Sequence, residues 1–248
     1  MNTLPNHRDA AQIFIAKPST ADLRIERRRV PRCGPLRNAL LASLPAQDYE
    51  PWLPLLKLVE MPLGRVLHES GAQMTPVYFP ITAVVSILVM TENGSSTEIA
   101  VIGHDGMVGI ASFMGGCTTF SQAVVQSAGT AYRLAVSDLQ SAFNQGGALR
   151  ESLLRYTQAL IRQMAQTAAC NRHHGVHQRL CSRLLLSLDR VSGNELRMTH
   201  ELMANALGVR REAVSAQAFR LQADNAIRYR RGRITVLDRA KLEVGARN

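Results

Sequence analysis

The residues best suited to chemistry lie near the C-terminus. Arg230-Arg231-Gly232-Arg233 separates two short β-branched runs, Ile227-Arg228-Tyr229 and Ile234-Thr235-Val236-Leu237. Guanidinium groups at the tip of such a hairpin can lie along phosphates. Upstream, Arg210, Arg211, Glu212 and Ser215 open a helical stretch. An arginine at the exposed start of a helix can bond guanine O6 and N7 together, and a neighbouring glutamate can accept from cytosine N4 while orienting the arginine. Glu212 also suits a plain role as a first-turn acid on the helix dipole.

These side chains need a scaffold, and residues 199–221 supply its pattern. Thr199 can cap a helix with Glu201 in its positive first turn. Leu202, Met203, Ala206 and Leu207 give the buried side. Gly208 permits the positive φ of a sharp turn between helices. Val214, Ala218 and Leu221 then recur at i, i+4 and i+7. Small Ala204 four residues before the glycine and apolar Val214 six after it are the spacing of a helix-turn-helix. The hairpin that follows makes it winged, with Thr199 a further DNA-contact candidate.

The charge distribution agrees. The chain has 248 residues, 29 Lys+Arg and 19 Asp+Glu, for a net charge of +10. Residues 172–248 carry +8 of it, residues 36–171 carry −2, and residues 1–35 carry +4. A basic C-terminal part suggests a polyanion as partner. With 46% hydrophobic residues and four cysteines, the chain is neither a disordered basic tail nor a disulfide scaffold. Residues 1–35, with Arg24, Arg27, Arg28, Arg29 and Arg32, read as a basic, flexible arm.

Between arm and motif, short apolar runs broken by turn residues predict an antiparallel barrel or sandwich over residues 36–147. Asn93–Gly94 is its clearest hairpin signal. Leu149, Leu153, Tyr156, Leu160, Met164 and Thr167 then recur every three or four residues, predicting a long helix over 148–171. Its apolar stripe reads as a seam against a second copy or as packing on its own barrel. Residues 172–248 are expected to form a DNA-binding part, and the expected class is α+β.

Other chemistries find little support. No nucleophile–base pairing, P-loop or metal-protease motif occurs, so an enzyme is not expected. Cys170, His174, His177 and Cys181 share helical spacing, but four ligands over about three turns cannot all reach one ion. No metal site is expected. Cys33, Cys117, Cys170 and Cys181 form no C-x-x-C pair, and neither a secretory signal nor a spanning segment is apparent. A cytoplasmic protein with no membrane partner is expected.

Barrel, long helix and winged helix-turn-helix, in this order, resemble the Crp/Fnr family of transcription regulators over roughly residues 36–243. The resemblance is carried by Val77-Tyr78-Phe79-Pro80 with Val85-Ser86, by Ile102-Gly103-His104-Asp105-Gly106-Met107-Val108-Gly109, by Gly208-Val209-Arg210-Arg211-Glu212-Ala213-Val214-Ser215, and by the wing. It implies a jelly-roll-like sensor β-roll, a dimerising helix, a homodimer on palindromic double-stranded DNA, and RNA polymerase as a further partner. The family's recognition arginine and glutamate fall on Arg211 and Glu212. The effector pocket it implies comprises Gly103, Asp105, Gly106, Gly109, Ser121 and Gln122.

Departures from the family pattern limit the effector. Members that bind cyclic nucleotide carry Gly-Glu-Leu and a later arginine for the cyclic phosphate. Here the turn reads Gly109-Ile110-Ala111, and the later segment Ser121-Gln122-Ala123 has no arginine. A buried phosphate would lack its charge-assisted partner, so usual cyclic-nucleotide binding is not expected. Members with an iron–sulfur cluster use clustered N-terminal cysteines, and only Cys33 stands there. Gln217 occupies a position where an apolar residue is common, and Asn225 suits the left-handed turn before the wing. The rival reading is a ligand-binding regulatory module acting through protein contacts rather than DNA.

Overall fold

The computed structural model describes residues 34–90, 96–116, 118–191 and 193–247. Residues 1–33 of the basic arm, the Asn93–Gly94 turn, Cys33 and Cys117 lie outside them. No helix among the described residues is long and apolar enough to cross a membrane.

The described chain opens with two short helices, α1 (Ala39–Ala42) and α2 (Ala46–Tyr49). Asn38 sets the start of α1. Its side-chain oxygen accepts from the amides of Leu40 and Leu41, and its amide nitrogen donates to the carbonyls of Pro80 (2.9 Å) and Gly106 (2.8 Å). The residue is fully buried, so one side chain caps the helix and ties it to a strand end and a loop of the β-roll.

Seven strands follow: β1 (Lys57–Met61), β2 (Val66–His68), β3 (Pro76–Pro80), β4 (Val84–Met90), β5 (Ser96–Ile102), β6 (Gln122–Ser127) and β7 (Gly129–Ala135). They form two antiparallel sheets of order β1-β7-β3 and β2-β6-β4-β5. This is the two-sheet β-roll that the spacing of the apolar runs predicts. β4 and β5, which flank residues 91–95 in sequence, pair from Val85↔Ile102 to Met90↔Ser96. Prolines at both ends of β3 suit a strand bonded along its length on one side only, since its other side meets just the Tyr78↔Val108 bridge. The apolar run from Leu53 divides: Leu53 and Leu55 are exposed in a turn, and the strand begins at Lys57.

Helix α3 (Val136–Gln145), absent from the sequence reading, caps the roll through Leu139 and Phe143. Helix α4 (Gly147–His173) is the predicted long helix, extended at both ends. Its stripe corrects the seam expectation. Leu149, Leu153 and Leu160 are buried, and with Tyr156 and Met164 they pack into the roll's own two apolar clusters. The barrel itself supplies the partner that the periodicity demanded.

The C-terminal part holds α5 (Val176–Leu188), β8 (Glu195–Arg197), α6 (His200–Leu207), α7 (Arg211–Ala223), β9 (Ile227–Arg230), β10 (Arg233–Val236) and α8 (Arg239–Arg247). Its sheet runs β8-β10-β9. β8 is a third strand that the sequence reading did not contain. The apolar cluster here draws only on residues from Leu180 onward, whereas the two β-roll clusters end at Met164.

The two parts therefore meet mainly through polar groups. Arg183 of α5 and Glu98 of β5 form an ion pair with both side chains under a tenth exposed. Gln126 of β6 accepts from the Ser86 hydroxyl and donates to that of Ser187 at 3.0 Å. Arg190 pairs with Asp105 at 3.0 Å and donates to Gln163 of α4, whose own amide donates to the Val101 carbonyl. Burial lowers the pKa of the Arg183 guanidinium to about 9, and the adjacent Glu98 carboxylate balances the charge that it carries.

Removing one partner of a buried pair leaves an unbalanced charge, a loss of about 3–5 kcal/mol. Glu98→Ala should approach that cost in urea denaturation, and Glu98→Met combined with Arg183→Met should recover most of it. A single-variant loss below about 1 kcal/mol would show that the pair does not hold this boundary together.

Candidate nucleic-acid interface

Helix α6 begins at Thr199, whose hydroxyl accepts from the Leu202 amide at 3.1 Å. The helix stops at Gly208, with φ 61° and ψ 40°. A left-handed residue there lets the Val209 amide return to the Ala204 carbonyl at 3.1 Å. Arg179 of α5 donates to the Leu207 carbonyl, so a cation also meets the negative end of α6. Ala204 and Val214 are buried where the two helices cross, at the positions the spacing assigned them.

Helix α7 has Arg210 at its N-cap with no side-chain bond into the first turn. Among the described residues no side chain bonds its opening amides, as suits an approaching anion. Arg210, Arg211 and Glu212 are exposed around that end. Ser215 is half-buried, and its hydroxyl shares a 2.8 Å hydrogen bond with His200 Nδ1. The His200 ring stacks on Tyr229 with centroids 4.2 Å apart. His200 thus joins α6, α7 and the wing. Burial first, then the Arg211 cation, lowers its pKa below the usual 6.5 and favours the neutral ring.

Gln217, polar where an apolar residue was expected, faces α5 and shares a 3.2 Å hydrogen bond with His177 Nδ1. Phe219 is 71% exposed. It lies seven residues after Glu212, on the same side of α7, and could meet a thymine methyl. The sequence reading missed His200, Tyr229 and Phe219, although helical spacing from Glu212 would have found Phe219.

The wing turns through Arg231 (φ 49°) and Gly232 (φ 75°), with Arg230 paired to Arg233. Two successive positive φ angles make the tight two-residue hairpin whose twist matches its strands. Asn225, before the wing, adopts the left-handed φ of 53° that its type tolerates. Arg228, Arg230, Arg231 and Arg233 line a shallow depression of about 530 Å³ with Glu195 and Thr235. Arg228 joins the three arginines named from sequence. The sole ion pair to these four among the described residues links Arg233 to Glu195 at 3.3 Å, with both side chains about half exposed.

The effector-pocket residues divide. Gly109 and Ser121 line a cavity of about 370 Å³ between β-roll and α4. Gly103, Asp105, Gly106 and Gln122 are not among its lining. Gly103 and Gly106 admit Arg190 and Tyr156, since an added Cβ would come within 2.6 and 2.3 Å of them. Asp105 pairs with Arg190, and Gln122 donates to Glu69 at 2.7 Å. Most of the glycine-rich loop thus packs against neighbouring elements.

The Cys170–Cys181 set is split by the end of α4 at His173. Among the described residues no group of three or more His, Cys, Asp or Glu is placed to hold a metal ion.

Residues 178–244 match the family model of the Crp-like helix-turn-helix domain, and residues 58–145 match that of the cyclic nucleotide-binding domain. Together the matches span more than half of the chain. No curated protein matches it in sequence. Its fold is similar to that of a regulator described as Crp/Fnr family from Eubacterium rectale, at TM-score 0.66 and 16% identity, over 86% of this chain and 99% of that one. FixK2 from Bradyrhizobium japonicum is similar at TM-score 0.66 and 15% identity, over 76% and 96%. The c-di-GMP-responsive regulator CLP from Xanthomonas campestris is similar at 0.61 and 18%, over 77% and 99%. With both domain models in this order and the arginine-bearing helix and wing formed, the chain belongs to the Crp/Fnr family.

Proposed function

We propose that the chain is a homodimeric, sequence-specific DNA-binding transcription regulator without catalytic activity, working in the cytoplasm on palindromic promoter DNA. The observation that carries this reading is the exposed start of α7, with Arg210, Arg211 and Glu212, beside a four-arginine wing. Arg211 and Glu212 are the base readers. The wing arginines, Arg210 and the Thr199 hydroxyl contact phosphates. His200 positions Ser215 and Tyr229 against each other, so the recognition helix and wing approach DNA as one unit.

Homodimerisation is assigned to the outer face of α4. Leu154, Gln158, Ile161, Ala165 and Ala168 are exposed there, at alternating spacings of four and three. That is heptad spacing, with small residues toward the C-terminal end allowing close helix approach. Leu154 and Ile161 are each at least half exposed in the single chain. A two-fold dimer would select two-fold symmetric DNA, with half-sites about 10 bp apart centre to centre.

Duplexes selected from a random pool should show that symmetry, and Ile161→Glu should shift the protein to monomer in analytical ultracentrifugation. Arg211→Ala should weaken the selected operator by about 1–3 kcal/mol and relax one base position. Equal losses on operator and random DNA would remove its base-reading role. Absence of salt-dependent DNA binding by the wild type would favour the protein-contact module instead.

Arg231→Asn keeps a residue that tolerates positive φ. It should leave thermal stability unchanged or slightly higher, weaken operator and random DNA alike, and reduce the slope of log K against log salt by about 1.

The lowered pKa of His200 gives a signed pH dependence. Its stabilising contribution is complete above about 6.5 and is lost as pH falls from there toward the lower folded value. Thermal melts at pH 8 and 5.5 should show a larger acid loss for wild type than for His200→Phe. Equal losses would dissociate His200 from acid sensitivity.

A further inference from the structure

We infer that the cavity between β-roll and α4 is the effector site and takes an uncharged, largely apolar small molecule with one hydrogen-bonding group, not a cyclic nucleotide. The inference rests on the regulator reading for the word effector only; the binding site stands on its own geometry.

The cavity of about 370 Å³ equals the liquid share of roughly twelve waters. Its walls are Met74, Ile87, Ile102 and Met107 from the roll, with Leu160 and Met164 from α4. Among the described residues none that lines it is Asp, Glu, Lys or Arg. Ser121 and Thr119 bond each other at 2.9 Å. His68 lines the cavity, is 6% exposed, and has no hydrogen-bond partner for Nε2 among the described residues. An unpartnered polar atom in an apolar wall costs stability until something bonds it. A ligand hydroxyl, amine or carbonyl can supply that bond.

A cyclic nucleotide fits these walls poorly. Its phosphate would enter an apolar space without a cation, at a cost no neighbour repays. Burial also lowers the pKa of His68, which favours its neutral ring over a cation. Met114 and Phe120 line the cavity and are each more than half exposed, leaving an apolar entrance.

The location also connects the site to the rest of the molecule. Leu160 and Met164 flank Gln163, which holds the Val101 carbonyl on one side and Arg190 on the other. An occupant that moves this stretch of α4 therefore acts directly on the contact between β-roll and winged domain.

The test is fluorescence titration of the full chain, without DNA, using the neutral probe N-phenyl-1-naphthylamine. Saturable binding of one probe per chain is expected, and millimolar cyclic AMP should not displace it. His68→Leu, which removes the polar atom, should weaken binding at least fivefold. Met164→Trp, which fills the space from α4, should weaken it at least tenfold, with circular dichroism confirming the folded state. Absence of saturable wild-type binding, displacement by cyclic AMP, or equal affinity in both folded variants would each overturn the proposal. Should neither variant fold, the two wild-type results decide it. Because no DNA is present, failure here is distinct from failure of operator binding.

Discussion

The pairing of Arg183 with Glu98 is the constraint on which the arrangement of the two parts depends. Each part has its own apolar core, so hydrophobic burial fixes the inside of each and says little about their relative placement. Directional groups do that work. Arg183 meets Glu98, Ser187 meets Gln126, and Arg190 meets Asp105 and Gln163. Such groups are satisfied in few geometries and are costly when separated inside a dry boundary. The winged domain is consequently held in a defined position by contacts that could be exchanged for water without dismantling either core.

The DNA-facing elements rely on a similar division between packing and polar links. Buried Ala204, Val214, Ala218 and Leu221 place α7 across α6, leaving the charged start of α7 exposed. Packing alone would not fix the wing against that helix. Gln222 accepts from the Tyr229 amide at 2.9 Å, while His200 bonds Ser215 and stacks on Tyr229. These links reduce the independent motion of helix and wing, so less conformational entropy remains to be lost when the two engage a partner together.

Much of this was legible in the sequence because local chemistry determines it. Gly208 demanded a turn, Thr199 a cap, and Arg231–Gly232 a hairpin tip; each physical requirement is met within a few residues. The long helix was legible for the same reason, but the destination of its stripe was not. Periodicity shows that Leu153 and Leu160 must be buried and leaves open whether a barrel or a second helix covers them. The glycine loop misled for a related reason. Glycine marks close approach, and the partners here, Tyr156 and Arg190, are distant in sequence. Nor could local spacing place His68 of β2 in the same cavity wall as Met164 of α4, because their juxtaposition depends on how the whole roll closes.

The charge of the C-terminal part shows why allocation matters more than total. Arg183 and Arg190 are turned toward the β-roll and matched by Glu98 and Asp105 of the mildly acidic part. Arg179 faces the end of α6. These three add to the positive sum without adding to the exposed face. Arg210, Arg211, Arg228, Arg230, Arg231 and Arg233 remain exposed on recognition helix and wing, and their fields converge where a phosphate backbone would run. A separation of the two parts would release inward-facing arginines from their carboxylates. Such a state is costly wherever the released charges stay out of water.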